Sequence, residues 1–162
     1  MSERFSMAAA GVPFDGPHLL LVRPTYGARK WALPGGVVEP TETLSEAVRR
    51  EMLEEVGLPV RVRGLLGVRH RGTEKPGDGN DACFVFVVDA EDFSALAPDP
   101  REVADARFFT ADGVRTMPAE EIHSFVRTIA PAAFGSRDRG LPDLGNPTSW
   151  RGGCEMYLPR PD

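Results

Sequence analysis

The segment from Thr43 to Gly57 constrains the fold of this chain most, because it carries signals for both ends of a helix. Thr43, followed three residues later by Glu46, fits a capping box in which each residue satisfies a backbone N–H group of the other. No glycine or proline interrupts the segment. Gly57 stands where helices often end in a left-handed residue, and Pro59 prevents continuation. The sequence therefore predicts a helix over Thr43–Val56.

Strands are predicted on both sides of this helix. Short apolar runs bounded by turn-forming residues predict strands at Met7–Val12, His18–Val22, Val60–Arg71, Ala82–Ala90 and Ala104–Phe109. The first two are expected to form a hairpin, and the almost wholly apolar run at Ala82–Ala90 is expected to be a central strand. A second helix is predicted over Ala119–Ile129, and a sharp turn at Pro34-Gly35-Gly36. This pattern favours an α/β fold with a mixed sheet between helices.

Composition limits the classes of protein to which the chain can belong. Its 162 residues fit one domain, with 41% hydrophobic and 27% charged residues. No apolar run is long enough for a membrane span, and Met1–Ala10 does not resemble a secretory signal. Cys83 and Cys154 form no disulfide framework, so a cytoplasmic location is expected. The net charge of -5 disfavours binding to a nucleic acid polymer but not to a small nucleotide.

Three glutamates on the predicted helix form a candidate metal site. At about 100° per residue, Glu51, Glu54 and Glu55 fall within roughly a 100° arc of the helix surface. Like charges at these spacings repel each other, and a bound cation reverses that effect. Carboxylate oxygens suit Mg²⁺ or Mn²⁺, which also binds phosphate groups. The alternative is that the three glutamates form an ordinary solvated helix face.

The surrounding residues resemble the motif of the Nudix hydrolase family. The positions that this motif defines are all filled, by Gly36, Glu42, Arg50, Glu51, Met52, Glu54, Glu55, Gly57 and Leu58. Trp31-Ala32-Leu33-Pro34-Gly35-Gly36 also resembles the usual approach to the motif. The resemblance implies a Nudix-type α/β/α sandwich over residues 1–130. It leaves the Gly- and Pro-rich tail, residues 131–162, without an explanation.

The resemblance also implies roles for individual residues. Glu51, Glu54 and Glu55 would coordinate the metal ions together with the main-chain carbonyl of Gly35. Arg50 would pair with Glu42 and hold the preceding loop against the helix. A water would then attack one phosphorus of a diphosphate while the metal ions neutralise the charge on its oxygens.

The identity of the general base stays open. Within the motif Glu51 is a candidate. Glu102 is another, because a glutamate just before the last strand serves as base in several relatives. The alternative for Glu102 is a surface charge on a loop.

Two further residues are candidates for substrate binding. Arg23 closes the second predicted strand, where a basic residue in relatives of this family can contact phosphate. Trp31 could stack on a base, although packing in the core is the alternative for a tryptophan at this position.

Residues downstream of the motif narrow the substrate class but do not identify the substrate. Relatives that hydrolyse dinucleoside polyphosphates often carry a tyrosine downstream of the motif, and none occurs between Leu58 and Met156. Relatives that act on ADP-ribose often carry a proline where this chain has Thr73, and Pro76 is offset. A MutT-like pyrophosphohydrolase acting on nucleoside triphosphates or nucleoside diphosphate derivatives remains.

Two alternatives come from other functional classes. One is a catalytically idle Nudix domain that binds a nucleotide or sugar and acts as a regulator, although such domains usually lose glutamates that this chain keeps. The other is an interaction domain that binds through its tail. The expected partner is a small nucleotide-like diphosphate, with neither a nucleic acid polymer nor a membrane, and a homodimer is left open.

Overall fold

The chain folds into a six-stranded sheet with helices on both faces. This computed structural model describes residues 5–72, 80–136, 140, 141, 143, 155 and 157. Its elements in chain order are β1 (Phe5–Asp15), β2 (His18–Pro24), β3 (Gly35–Val37), α1 (Leu44–Val56), β4 (Val60–Arg71), β5 (Asn80–Ala90), a 3-10 turn (Phe93–Ala95), β6 (Val103–Phe109), α2 (Ala111–Thr116) and α3 (Ser124–Ser136).

The sheet is mixed, with the strand order β4-β5-β1-β2-β6 and with β3 also paired to β1. The pair β1–β5 is parallel, and the other pairs are antiparallel. The predicted hairpin is confirmed, since Asp15 pairs with His18 across a turn in which Gly16 has a φ of 53°. The prediction of a central strand is confirmed too, because β5 lies between β4 and β1.

Successive side chains of a strand point to opposite faces of the sheet. The side chains of the strands therefore belong to two separate core layers. In β2, Leu20 belongs to the layer beneath α1, whereas Leu21 belongs to the layer beneath α2 and α3. On the α1 side, Val48 and Met52 are fully buried. On the opposite side, Val126 is 1% exposed. The α/β/α sandwich is thus confirmed.

The chain bends at Pro34 as predicted, but the turn does not extend over Gly35 and Gly36, because Gly35–Val37 forms the short strand β3 along β1. Gly35 has a φ of 150°, and a Cβ there would lie 2.3 Å from the carbonyl oxygen of Ala9. Only glycine fits so close to a neighbouring strand in this conformation. The glycine pair therefore brings the strand into close contact instead of ending it.

The second predicted helix begins later and ends later than the sequence indicates. Residues 119–121 form a turn, and α3 starts at Ser124 because the backbone N–H of His123 is already used in a 2.9 Å bond to the carbonyl of Trp31. The helix continues through Pro131 to Ser136. The short helix α2, capped by Thr110, is an element that the sequence did not predict.

The predicted division at residues 130 and 131 falls inside α3. Beyond this helix, described tail residues contact the α1 side of the sheet. Leu141 and Leu65 exchange two backbone hydrogen bonds of 2.8 Å, and the ring of Tyr157 lies 5.3 Å from that of Phe86. Glu155 accepts a 3.2 Å hydrogen bond from the backbone of Ser45.

Two other sequence predictions concern residues that lie wholly or mostly outside the described part of the chain. The loop predicted at Gly72–Asp81 lies mostly outside the described residues, and β5 already begins at Asn80. Thr73 and Pro76, which bear on the substrate, also lie outside them. Among the helices that the structure describes, none has the length and apolar character to cross a membrane.

Candidate active site

The helix that carries the glutamates is fixed at both ends by its own sequence. Thr43 caps the N-terminus, and the reciprocal bonds of the predicted capping box with Glu46 are both present. At the other end Gly57 adopts a left-handed conformation with a φ of 70°, and its N–H donates to the carbonyl of Leu53 at 3.0 Å. These caps set the register of α1, and with it the direction in which each glutamate points.

Two of the three glutamates point toward the protein interior. Glu51 is 8% exposed and Glu55 is 3% exposed, whereas the side chain of Glu54 is 53% exposed. Buried carboxylates are costly unless they are paired or bind a cation. This burial argues against the alternative that the three glutamates form an ordinary solvated face.

The glycine pair of β3 lies directly against these carboxylates. The N–H of Gly35 donates a 2.8 Å hydrogen bond to Oε2 of Glu55. A Cβ on Gly36 would stand 2.3 Å from Oε1 of Glu51, so any other residue would displace that carboxylate. The predicted ligand atom, the main-chain carbonyl oxygen of Gly35, therefore belongs to a residue in contact with the site.

Arg50 connects the motif into one hydrogen-bonded unit. Its Nε and Nη2 donate to the two oxygens of Glu42 at 3.0 and 2.7 Å, which is a bidentate pair. Its Nη1 donates to Oε1 of Glu51 at 2.8 Å and to Oε2 of Glu54 at 3.0 Å. Its Nη2 also donates to the carbonyl of Val37 at 3.0 Å. Arg50 thereby ties the loop after β3 to the helix and orients two of the candidate ligands.

The site disfavours negative charge where it is most deeply buried. Burial, opposed by the hydrogen bond from Gly35 and reinforced by neighbouring carboxylates, raises the pKa of Glu55 to about 7. Burial also raises the pKa of Glu51, although its bond to Arg50 acts in the opposite direction. Within the described residues no ion pair of Glu55 is found. A cation is what would let Glu55 ionise fully.

The donor set fits a hard divalent cation that retains part of its water. In the described part of the chain, no three acidic, histidine or cysteine side chains already stand together as metal ligands. One oxygen each of Glu51 and Glu54 is bound by Arg50. Magnesium commonly takes only one or two carboxylates and completes its shell with waters and phosphates. Glu55 and Glu51, with Glu54 at the rim, offer such a partial set.

The turn that contains Glu102 is attached to the C-terminal end of α1. The N–H of Asp99 donates to the carbonyl of Glu55 at 3.0 Å, and the N–H of Glu102 donates to the carbonyl of Asp99 at 3.0 Å. The charge of Glu102 is among those that raise the pKa of both Glu51 and Glu55. The fold thus brings Glu102 to the carboxylate cluster from a separate loop.

Tyr26 also lies at this site, and the sequence did not single it out. Its neighbour Thr25 donates from N to the carbonyl of Glu102 at 2.8 Å, which ties the loop after β2 to the Glu102 turn. Partial burial and the charges of Glu55 and Glu102 raise the pKa of the Tyr26 phenol. The sequence feature that could have identified Tyr26 is the presence of an aromatic residue within the polar segment Arg23–Lys30.

Arg23 and Trp31 are not brought to the carboxylates. Trp31 is 3% exposed and packs at 4.8 Å against the ring of Phe109, in the core layer beneath α2 and α3. The guanidinium of Arg23 lies 4.8 Å from the centroid of the Trp31 ring, and its Nη2 lies 3.4 Å from Glu121. Trp31 therefore takes the packing alternative, and phosphate contact by Arg23 stays a prediction.

Comparison with known proteins shows which family this sequence resembles. The model of the NUDIX domain matches residues 5–131. An ADP-ribose pyrophosphatase of Methanocaldococcus jannaschii is 40% identical over 106 residues, which are 64% of this chain and 61% of that protein. The NAD-capped RNA hydrolase NudC of Pseudomonas syringae pv. syringae is 30% identical over 129 residues, 79% of this chain. The chain spans only 43% of the length of that second relative.

Solved structures agree with this comparison. A NUDIX hydrolase from Nitrosomonas europaea superposes with a TM-score of 0.70 at 25% identity, over 83% of this chain and 91% of that one. The similarity extends over most of the sandwich, well beyond the glutamate helix.

Proposed function

This chain belongs to the NUDIX domain family, and on that premise we propose that it hydrolyses the diphosphate linkage of a nucleoside diphosphate derivative with the help of Mg²⁺ or Mn²⁺. The observation that carries the proposal is the burial of Glu51 and Glu55 beside Gly35 and Gly36. Buried oxygen ligands next to a glycine backbone suit a cation and an anionic substrate that approaches closely.

The choice of substrate class is supported by the relatives. The sequence leaves nucleoside triphosphates and nucleoside diphosphate derivatives open. The names of the two relatives refer to ADP-ribose and to NAD, and both molecules contain an adenosine joined through a diphosphate. We therefore favour a nucleoside diphosphate derivative of this type over a triphosphate.

Each group of residues has a distinct part in the proposed reaction. Glu51, Glu54 and Glu55 would hold the cation, which would neutralise charge that develops on the diphosphate oxygens. Arg50 keeps Glu51 and Glu54 in place. A carboxylate, either Glu51 or Glu102, accepts the proton of the water that attacks phosphorus.

The first experiment measures phosphate-bond hydrolysis against ADP-ribose, NAD, ATP and dGTP in the presence of Mg²⁺. We expect ADP-ribose or NAD to be cleaved with the highest kcat/KM, and EDTA to abolish the activity. Changing Glu55 to Gln keeps the volume and removes the charge, and should reduce kcat at least about 100-fold, as does the loss of one strong electrostatic group. The matched control is Glu91→Gln, which changes an exposed glutamate directly after β5.

Several results would count against the proposal. Full activity in thoroughly chelated protein would exclude the role of the cation. Near wild-type turnover of Glu55→Gln would show that the helix does not carry the chemistry. Binding of these nucleotides without turnover would favour the alternative of a catalytically idle regulator.

A second candidate substrate is NAD-capped RNA, because relatives that match this chain carry that name. The net charge of -5 disfavours a long polyanion. We expect a higher kcat/KM for ADP-ribose or NAD than for NAD-capped RNA at matched salt concentration. A clear preference for the capped RNA would replace the small molecule as the proposed substrate.

A further inference from the structure

We propose that the ring of Tyr26 packs against the nucleoside of the substrate while the diphosphate lies at the carboxylate cluster. This inference rests on the proposed function and names a specificity-determining residue outside the sequence motif. It assigns a role to a loop that the motif does not cover.

The placement of Tyr26 is set by three connected segments. The loop that contains it is anchored by Thr25, whose N–H and Oγ1 bond to the carbonyls of Glu102 and Arg101, each at 2.8 Å. The Glu102 turn is in turn bonded to α1 through the 3.0 Å contact of Asp99 with the carbonyl of Glu55. Tyr26 is therefore held beside the end of α1 at which Glu54 and Glu55 are located.

The ring itself is available to a ligand, since Tyr26 is 60% exposed. Single exposed apolar residues are common on proteins and need no explanation by themselves. Among the exposed large apolar residues in the described part of the chain, only Phe5 and Tyr26 are aromatic. Phe5 lies at the start of β1, whereas Tyr26 is the one beside the carboxylates.

The chemistry of the site favours an uncharged ring at this point. Glu51, Glu54, Glu55 and Glu102 make the cluster strongly acidic, so further carboxylates would repel a diphosphate. An aromatic face adds no charge and can stack on any base or pack on a ribose. The volume of the ring, rather than its hydroxyl, is the property that this role requires.

Trp31 does not offer an alternative platform. It is 3% exposed, and its ring is contacted by Phe109 and by the guanidinium of Arg23. A base could reach it only after this packing had been disrupted. We therefore assign to Tyr26 the base stacking that the sequence left open for Trp31 beside packing in the core.

The test compares Tyr26→Ala, Tyr26→Phe and the control Phe5→Ala, which removes a similarly exposed ring from the start of β1. With ADP-ribose and Mg²⁺, we expect Tyr26→Ala to raise KM at least about fivefold, the lower range for loss of one stacked base. The kcat should change little. Tyr26→Phe should restore the wild-type KM, and Phe5→Ala should not alter it.

Inhibition by AMP, a product of the reaction, and by inorganic phosphate, which is not a product, supplies a readout that a structural disturbance would not give. AMP carries the nucleoside and inorganic phosphate does not. The inhibition constant of AMP should therefore rise in Tyr26→Ala by the same factor as KM, while that of phosphate stays constant.

The outcomes separate this inference from the proposed function. If the wild-type protein cleaves ADP-ribose and Tyr26→Ala keeps its KM, the inference is overturned and the proposed function stands. An equal rise for AMP and phosphate, or failure of Tyr26→Phe to restore KM, also overturns it. If the wild-type protein cleaves none of the nucleotides, the proposed function fails, and the inference fails with it.

Discussion

At the scale of single residues, the acidic groups of the site differ in how they are held. Glu51 is fixed by Arg50 on the same helix that carries Glu54 and Glu55. Glu102 is supplied by a turn of its own that reaches the helix through Asp99. A metal ligand and a proton acceptor can be distinguished by this difference, because only a ligand contributes to the affinity for the cation.

We predict that Glu102→Gln lowers kcat by roughly 10²–10⁴-fold, the usual range for general acid–base catalysis, with little change in Mn²⁺ affinity. Glu51→Gln should lower both kcat and Mn²⁺ affinity. Steady-state kinetics and a Mn²⁺ titration of the two variants provide the measurement. Normal turnover of Glu102→Gln would move the search for the base to the helix or to another loop.

At the scale of secondary-structure elements, local signals predicted most of the fold. The bounds of α1 follow from its caps, and β4 follows from its alternation, so both agree with the structure. The start of α3 could not be predicted in the same way, because the backbone of His123 is bonded to Trp31, which is distant in sequence. The face on which Arg23 lies likewise depends on the pairing of β2 with β6, which no local pattern specifies.

The contact of the C-terminal tail with β4 is a second feature at the level of secondary-structure elements that could not be predicted from the sequence. A Cβ on Gly64 would lie 2.6 Å from the carbonyl oxygen of Leu141. The absence of a side chain at this position of β4 therefore leaves room for the tail. We expect a chain without Gly140–Asp162 to remain folded and to bind metal, but to unfold at a lower temperature. Gly64→Ala should cost the full chain about 1–3 kcal/mol, as overpacking does, and the shortened chain much less.

Thermal unfolding is measured for the full and the shortened chain, each with and without Gly64→Ala. The four free energies of unfolding give the coupling between the tail and β4. Gly72→Ala is the matched control, since no atom of the described residues lies within 4 Å of the position that its Cβ would occupy. An equal effect of Gly64→Ala in both chains would show that the tail contact contributes nothing to stability. Loss of folding in the shortened chain would show that the tail is part of the core.

At the scale of the whole molecule, the buried carboxylates predict how the stability of the metal-free protein depends on pH. Burial raises the pKa of Glu55 from 4.5 to about 7. Between these values the folded state keeps a proton that the unfolded chain has released, so the free energy of unfolding falls as pH rises. Glu42 and Asp99, whose pKa values are lowered by hydrogen bonds from Arg50 and Arg101, act below this window.

We therefore expect a lower Tm in EDTA at about pH 8 than at about pH 5.5, with the Glu55→Gln variant less sensitive to pH. Added Mg²⁺ should raise the Tm at the higher pH, because it binds only the folded state. Differential scanning calorimetry at both pH values measures these effects. A Tm that rises with pH in the metal-free protein would contradict the assignment of Glu55 as a buried carboxyl whose pKa is raised.

The parallel pairing of β1 with β5 has a consequence for the order in which this molecule folds. Each pair in this register, from Phe5 with Asn80 to Pro13 with Val88, is separated along the chain by β2, β3, α1 and β4. The loop entropy of that whole stretch must be lost before the pairing is gained, which makes such contacts slow to form. The glutamate helix and the hairpin of β1 and β2 are local structures that can form early, whereas β1, the strand that Gly35 contacts, completes its pairing with β5 only late in folding.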